Sequence, residues 1–135
     1  MRDLKDLSLP AGRALVAVLF LWSGTRKLAH PGAVIEMIGH SLPYPTLGFA
    51  ISIACELGAG TLFLLGYRTR AMAAVLALFT LATALAFHSD FGDRQALTNF
   101  MKNLAILGGL LHVLAAGGGR FSIDALIARR RQPAA

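Results

Sequence analysis

The chain has 135 residues, 56% of them hydrophobic and 15% charged, with a mean hydropathy of +0.61. An ordinary soluble domain is roughly 45–50% apolar and about 25% charged, so this composition points to a single membrane domain, residues 1–135. The net charge of +6 does not mark a nucleic-acid binder, because the basic residues punctuate apolar runs instead of gathering on one soluble face.

The first apolar run, "LPAGRALVAVLFLWSGTRKL", covers about residues 9–28. It follows a basic N-terminus, yet no A-x-A-like site closes it, so it is expected to be a span and not a cleaved leader. "HPG" and "SLPYP" mark a loop after it. The second run covers about 46–67 and ends in the tight turn "GYRTR". The third covers about 71–88 and carries no Asp, Glu, Lys or Arg, which excludes the charged face of a soluble bundle helix. "SDFGDRQ" follows, and the fourth run covers about 98–117. Each run approaches the ~20 residues a helix needs to cross a bilayer. The predicted fold is therefore an all-α integral membrane four-helix bundle with a short cytoplasmic tail, 118–135. Within that tail, Ser122 and Asp124 are placed to cap a short surface helix from Ile123 to about Arg131.

Orientation follows from the basic residues near the spans. Arg2, Lys5, Arg13, Arg68, Arg70, Arg120, Arg129, Arg130 and Arg131 fall on one side; Arg26, Lys27, Arg94 and Lys102 fall on the other. The imbalance predicts both termini in the cytoplasm, with the Arg129–Arg131 run facing anionic lipid.

Helical spacing then sorts the faces. Arg13, Ala17, Phe20, Gly24 and Lys27 share one face of the first span. Gly48, Ser52, Glu56 and Gly60 share one of the second, with Ala50, Ala54 and Gly58 beside them. That small-residue stripe allows a homo-oligomer without requiring one. Ala73, Ala77, Thr80, Ala84 and His88 share a face of the third. In the fourth, Lys102, Ala105, Gly109, His112 and Ala116 are expected to face the bundle, and Leu104, Leu107, Leu111 and Leu114 the lipid.

These faces predict an intramembrane polar cluster of Lys27, Glu56, His88, Lys102 and Asn103, in which Lys102 pairs with Glu56 while Lys27 and His88 sit above. Such a cluster is either a brace that fixes helix register or a site that handles protons or orients a ligand. Trp22 reads as an interfacial anchor. His112 reads as a packed core residue. The four histidines have neither haem-pair nor metal-ligand spacing, so no metal is expected. One cysteine, Cys55, excludes an internal dithiol.

Five segments in order, "SGTRKL", "ELGAGTLFLLGYRTR", "FHSDF", "FMKNLAILGGLL" and "GGGRFSID", resemble the DoxX family of small four-helix bacterial inner-membrane proteins. The likeness covers roughly residues 7–127. It carries over to Gly24 and Lys27, to Glu56, to Lys102 and Asn103, and to a closing structural set of Gly117, Gly119, Ser122 and Asp124. Gly118 departs from it, standing where many relatives have proline, and a looser turn is expected there.

The resemblance implies a small membrane subunit or anchor of a quinone-linked oxidoreductase or oxidative-stress system. Quinone is the one cofactor implied and redox-enzyme subunits are the implied partners, besides the lipid bilayer. Phe20, Trp22 and Phe63 are the candidate pocket walls. The chain has no intrinsic redox-cofactor motif, so whether it is itself an enzyme stays open at this stage. The alternative is a non-enzymatic membrane scaffold or a small-molecule permeation protein, whose polar cluster is structural or lines a path.

Overall fold

Four helices of the computed structural model, which describes residues 2–131, are long and apolar enough to cross a membrane. They are α1 (Arg2–Ala29, with the candidate span Asp6–Ala29), α3 (Pro45–Leu65), α4 (Thr69–Phe87) and α5 (Arg94–Ala116). Two short helices complete the chain: α2 (Pro31–Gly39) after the first span, and α6 (Ile123–Arg130) after the last. No strand occurs among the described residues. Met1 and residues 132–135 of the predicted domain lie outside them.

The spans form an up-and-down ring. α1 packs along α3, α3 packs on α4, α4 and α5 form the most extensive pair, and α5 closes back on α1. An even number of spans puts both termini at one end, where Arg120 and Asp6 form an exposed ion pair of 3.4 Å. The middle of the bundle is dry. Ala17, Phe63, Ala73, Leu76 and Leu110 have no exposed surface and fill the space between the four spans.

The four long helices overlap the four apolar runs, and their ends differ from them. α1 starts well before residue 9 and contains Pro10, which removes one backbone bond near its terminal end. α3 stops at Leu65 because Gly66 takes φ +72° and Tyr67 N–H donates to the Leu62 carbonyl at 3.0 Å, a left-handed helix closure. α4 starts at Thr69, and α5 starts at Arg94 because Asp93 accepts hydrogen bonds from the Gln95 and Ala96 amides.

The segment read as a loop between "HPG" and "SLPYP" is helix α2. Pro31 stands in its first turn, where the missing N–H costs nothing, and Ile38 is buried against Gly48.

α3 contains a π turn at Ala54–Ala59, centred on Glu56. Four-residue steps overshoot an α-helical turn by about 40° each, so a Gly48–Ser52–Glu56–Gly60 stripe drifts around a regular helix. The wider turn winds part of that drift back. Ser52, Glu56 and Gly60 are all buried as a result.

The faces of α1 and α4 are as the spacing predicts, with Arg13, Ala17, Phe20, Gly24, Ala73, Ala77, Thr80 and Ala84 buried. The face of α5 is not. Its buried residues are Leu110 and Val113, flanked by half-buried Asn103 and Ile106, while Lys102, Ala105, His112 and Ala116 are exposed. The inward stripe lies one residue, about 100°, from the predicted one. Bulk decides this: α4 offers a groove of alanines to α5, and branched side chains fill it better than small ones do. His112 is accordingly not a core residue.

Candidate functional site

Two polar clusters stand at opposite ends of the dry core. The one at the terminal end is a clasp. Arg13, buried on α1, donates through Nε to the Leu64 carbonyl at 3.1 Å, through one terminal nitrogen to the Gly118 carbonyl, and through the other to the Phe121 carbonyl at 2.7 Å. Its planar fork thereby satisfies carbonyls from α3 and from the loop after α5. Asp124 accepts the Arg68 amide, the Thr69 amide and the Thr69 hydroxyl, at 2.8, 2.8 and 2.7 Å.

Asp124 thus caps α4, a different helix from the one it belongs to. Ser122 caps α6 as expected, its hydroxyl accepting the Ala125 amide at 3.1 Å. Burial pushes the Asp124 carboxyl up, but the Thr69 and Arg68 hydrogen bonds and the nearby Arg13 charge outweigh it and hold the group below its ordinary value.

Gly117 and Gly119 take φ of +82° and +73°, conformations that favour glycine. Gly118 is not loose. It is buried, and a Cβ there would lie 2.5 Å from the Thr69 hydroxyl and 2.8 Å from Ser122 Cβ.

At the other end, the four spans and α2 line a half-open cavity of about 1040 Å³. The polar cluster lines it. Glu56, 4% exposed, is held on the π turn of α3. Its Oε1 accepts from Lys27 Nζ at 2.8 Å and from the Ser23 hydroxyl at 3.0 Å. The ion pair of Glu56 is therefore with Lys27, not Lys102 as spacing suggested. Lys27 approaches from α1, whose close contact with α3 is set by Gly24: a Cβ there would lie 2.7 Å from a Leu57 methyl and 3.1 Å from Glu56 Cβ. The Lys27 ammonium also sits 5.7 Å from the centre of the Phe79 ring.

Glu56 Oε2 is buried and has no hydrogen-bond partner among the described residues. A carboxylate oxygen in that state is costly unless something further supplies a donor.

Lys102, Asn103 and His88 line the same cavity, so it gathers the whole predicted cluster. Phe20 and Trp22 are among its walls. Phe63 is not, because it is fully buried in the dry core between Ala17, Ala59 and Leu110. Phe79 and Phe87 of α4 are the aromatic walls that sequence reasoning did not name. Ser23 was also missed, although it stands four residues before Lys27 and so shares its face. α2 adds Val34, Met37 and Ile38 as an apolar cover.

A model of the DoxX family matches residues 8–89 of the chain. The chain is 34% identical over 130 residues to inner membrane protein YqjF of Escherichia coli (strain K12), which covers 96% of this chain and 99% of that protein. It is 31% identical over 123 residues to inner membrane protein YphA of the same organism, covering 87% and 88% respectively. No solved structure matches.

Proposed function

The chain belongs to the DoxX family, and we propose that it holds a quinone-type ring in the Glu56 cavity as a small inner-membrane subunit or anchor of a quinone-linked oxidoreductase. The single observation that carries this reading is the unpartnered, buried Glu56 Oε2 on the wall of a cavity of about 1040 Å³. A buried acceptor of this kind fits a ligand that brings a hydrogen-bond donor, such as the hydroxyl of a ring in its reduced form, into a largely apolar pocket. Lys27 and Lys102 are the cations available to ring oxygens, and Phe20, Trp22, Phe79 and Phe87 are the walls available to the ring. When bound, the quinone supplies two-electron chemistry; the protein binds it, orients it and excludes water.

The names of the two relatives support an inner-membrane location, and the bias of Lys and Arg supports cytoplasmic termini. Phe63, Leu76 and Leu110 are fully buried in the dry core, which favours a dead-end pocket over a permeation path.

The test is binding of a short-chain benzoquinone or its hydroquinone to the protein in lipid nanodiscs, corrected for partition into protein-free discs, with purification of associated subunits from the native membrane. Saturable binding of either form that Lys102→Met weakens is the expected result. If neither form binds, and deletion of the gene leaves quinone-dependent oxidation unchanged, the proposal is overturned.

A further inference from the structure

Four hydroxyl groups on the cavity wall share a property that narrows the ligand. Ser23, Ser52, Thr80 and Thr83 all line the cavity, and each hydroxyl proton is already committed inside the protein. Ser23 donates to Glu56 Oε1 at 3.0 Å, Ser52 to the Phe49 carbonyl at 2.8 Å, Thr80 to the Leu76 carbonyl at 2.7 Å, and Thr83 to the Thr80 carbonyl at 3.0 Å. What these groups have left to offer is lone pairs. Glu56 Oε2 adds another acceptor, with no partner. Contributed by α1, α3 and α4, this part of the wall is rich in acceptors and poor in protons.

We infer that the site selects the reduced, hydroxyl-bearing form of its ring ligand over the oxidised form, with Glu56 Oε2 as the acceptor that discriminates; this rests on the quinone reading above. A hydroquinone hydroxyl donates to a carboxylate oxygen. A quinone carbonyl set against the same oxygen leaves two acceptors facing each other and Oε2 still without a partner. The donors elsewhere on the wall, Lys27 and Lys102 with the Asn99 and Asn103 amides and the His40 and His88 rings, do not cancel this preference, because the oxygens of both forms accept from them. These donors therefore tell the two forms apart far less than the acceptor wall does. One hydrogen bond to a charged acceptor corresponds to at least about tenfold in affinity. Tenfold tighter binding of the reduced form moves the potential of a two-electron couple up by about 30 mV.

The experiment measures equilibrium binding in nanodiscs of three probes with the same decyl tail: the benzoquinone, its hydroquinone, and the dimethyl ether of the hydroquinone, which lacks both protons. The hydroquinone is expected to bind at least about tenfold more tightly than the other two. Glu56→Gln, which presents an amide able to donate as well as accept, is expected to bring the ratio toward one. Thr80→Val, which keeps the shape but removes one acceptor, is expected to lower it partially while the fold is retained. Equal binding of quinone and hydroquinone by the wild-type protein overturns this inference and leaves the quinone site standing. A ratio unchanged in a folded Glu56→Gln protein also overturns it. Binding of none of the three overturns the inference together with the quinone site.

Discussion

Replacing Lys27 with methionine removes a charge and keeps most of the side-chain length, so it isolates the ion pair. At an effective dielectric near 20, unit charges separated by the 2.8 Å of Lys27 and Glu56 attract by about 6 kcal/mol. Desolvating the two groups offsets most of that gain. The variant is nevertheless costly, because Glu56 is left buried with Ser23 as its only donor. Breaking a fully buried pair typically costs about 3–5 kcal/mol. The Lys27 side chain keeps 22% of its surface exposed near the end of its span, so the pair is not fully buried and the expected loss is about 2–3 kcal/mol. Glu56→Gln is milder, since its carbonyl oxygen still accepts from Ser23 and Lys27. The double variant is expected to fall short of the sum of the singles by about 1–2 kcal/mol. Reversible unfolding in mixed micelles, titrated with SDS and followed by the fluorescence of Trp22, the only tryptophan, measures each value. Strict additivity of the two substitutions, or a larger coupling of Glu56 to Lys102→Met than to Lys27→Met, would refute the assignment of the pair.

The clasp gives three further expectations. Arg13→Met strips the donors from the Leu64, Gly118 and Phe121 carbonyls and is expected to cost about 2–4 kcal/mol by the same micelle titration, with Arg13→Lys restoring only part because it lacks the fork. Asp124 has its folded value depressed below the ordinary ~3.9, so its stabilisation is fully present above that pH and is lost as pH falls through the lower folded value. Asp124→Asn should flatten that part of the pH–stability curve, and faster amide exchange at Thr69 reports the same loss. Gly66→Ala places a Cβ 2.5 Å from Ser122 at φ +72° and is expected to cost about 1–3 kcal/mol, whereas Gly108→Ala, with nothing within 4 Å, costs nothing measurable.

The four spans were legible because a bilayer imposes length and hydropathy on each helix separately, whatever the neighbours are. The five residues of the expected polar cluster line one cavity, although His112, placed on the same stripe by its spacing, is exposed instead. Pairing within the cluster was not legible. Lys27 and Lys102 both satisfy the depth argument for Glu56, and the choice depends on how closely each helix approaches α3. Gly24 lets α1 come within reach, while the rotation of α5 turns Lys102 toward the cavity surface. That rotation reflects packing volume at Leu110 and Val113, a property of two helices together and not of either sequence alone. The π turn was hidden for the same reason: nothing local in "ACELGA" demands it, and it lies where α3 packs against both α1 and α4. Asp124 stood in a motif that suggested a cap, and its true client, α4, lies 55 residues upstream.

The pair and the clasp pin the same two helices. α1 holds α3 through Arg13 and the Leu64 carbonyl at one end, and through Lys27 and Glu56 at the other. Arg13 and Lys27 stand 14 residues apart in the sequence, about 21 Å of helix. Between the pins, Gly24 against Leu57 and Gly60 against Phe20 bring the backbones together. A brace between α1 and α3 therefore uses one oxygen of Glu56. Oε1 takes both Ser23 and Lys27, and holding the helices asks nothing more of the carboxylate. Oε2 is the part that bracing does not explain, and Glu56 lines the cavity. Brace and site are thus not alternatives for this residue: they fall on its two oxygens. A glutamine keeps most of the first role and alters the second, which is why Glu56→Gln is the substitution that separates them.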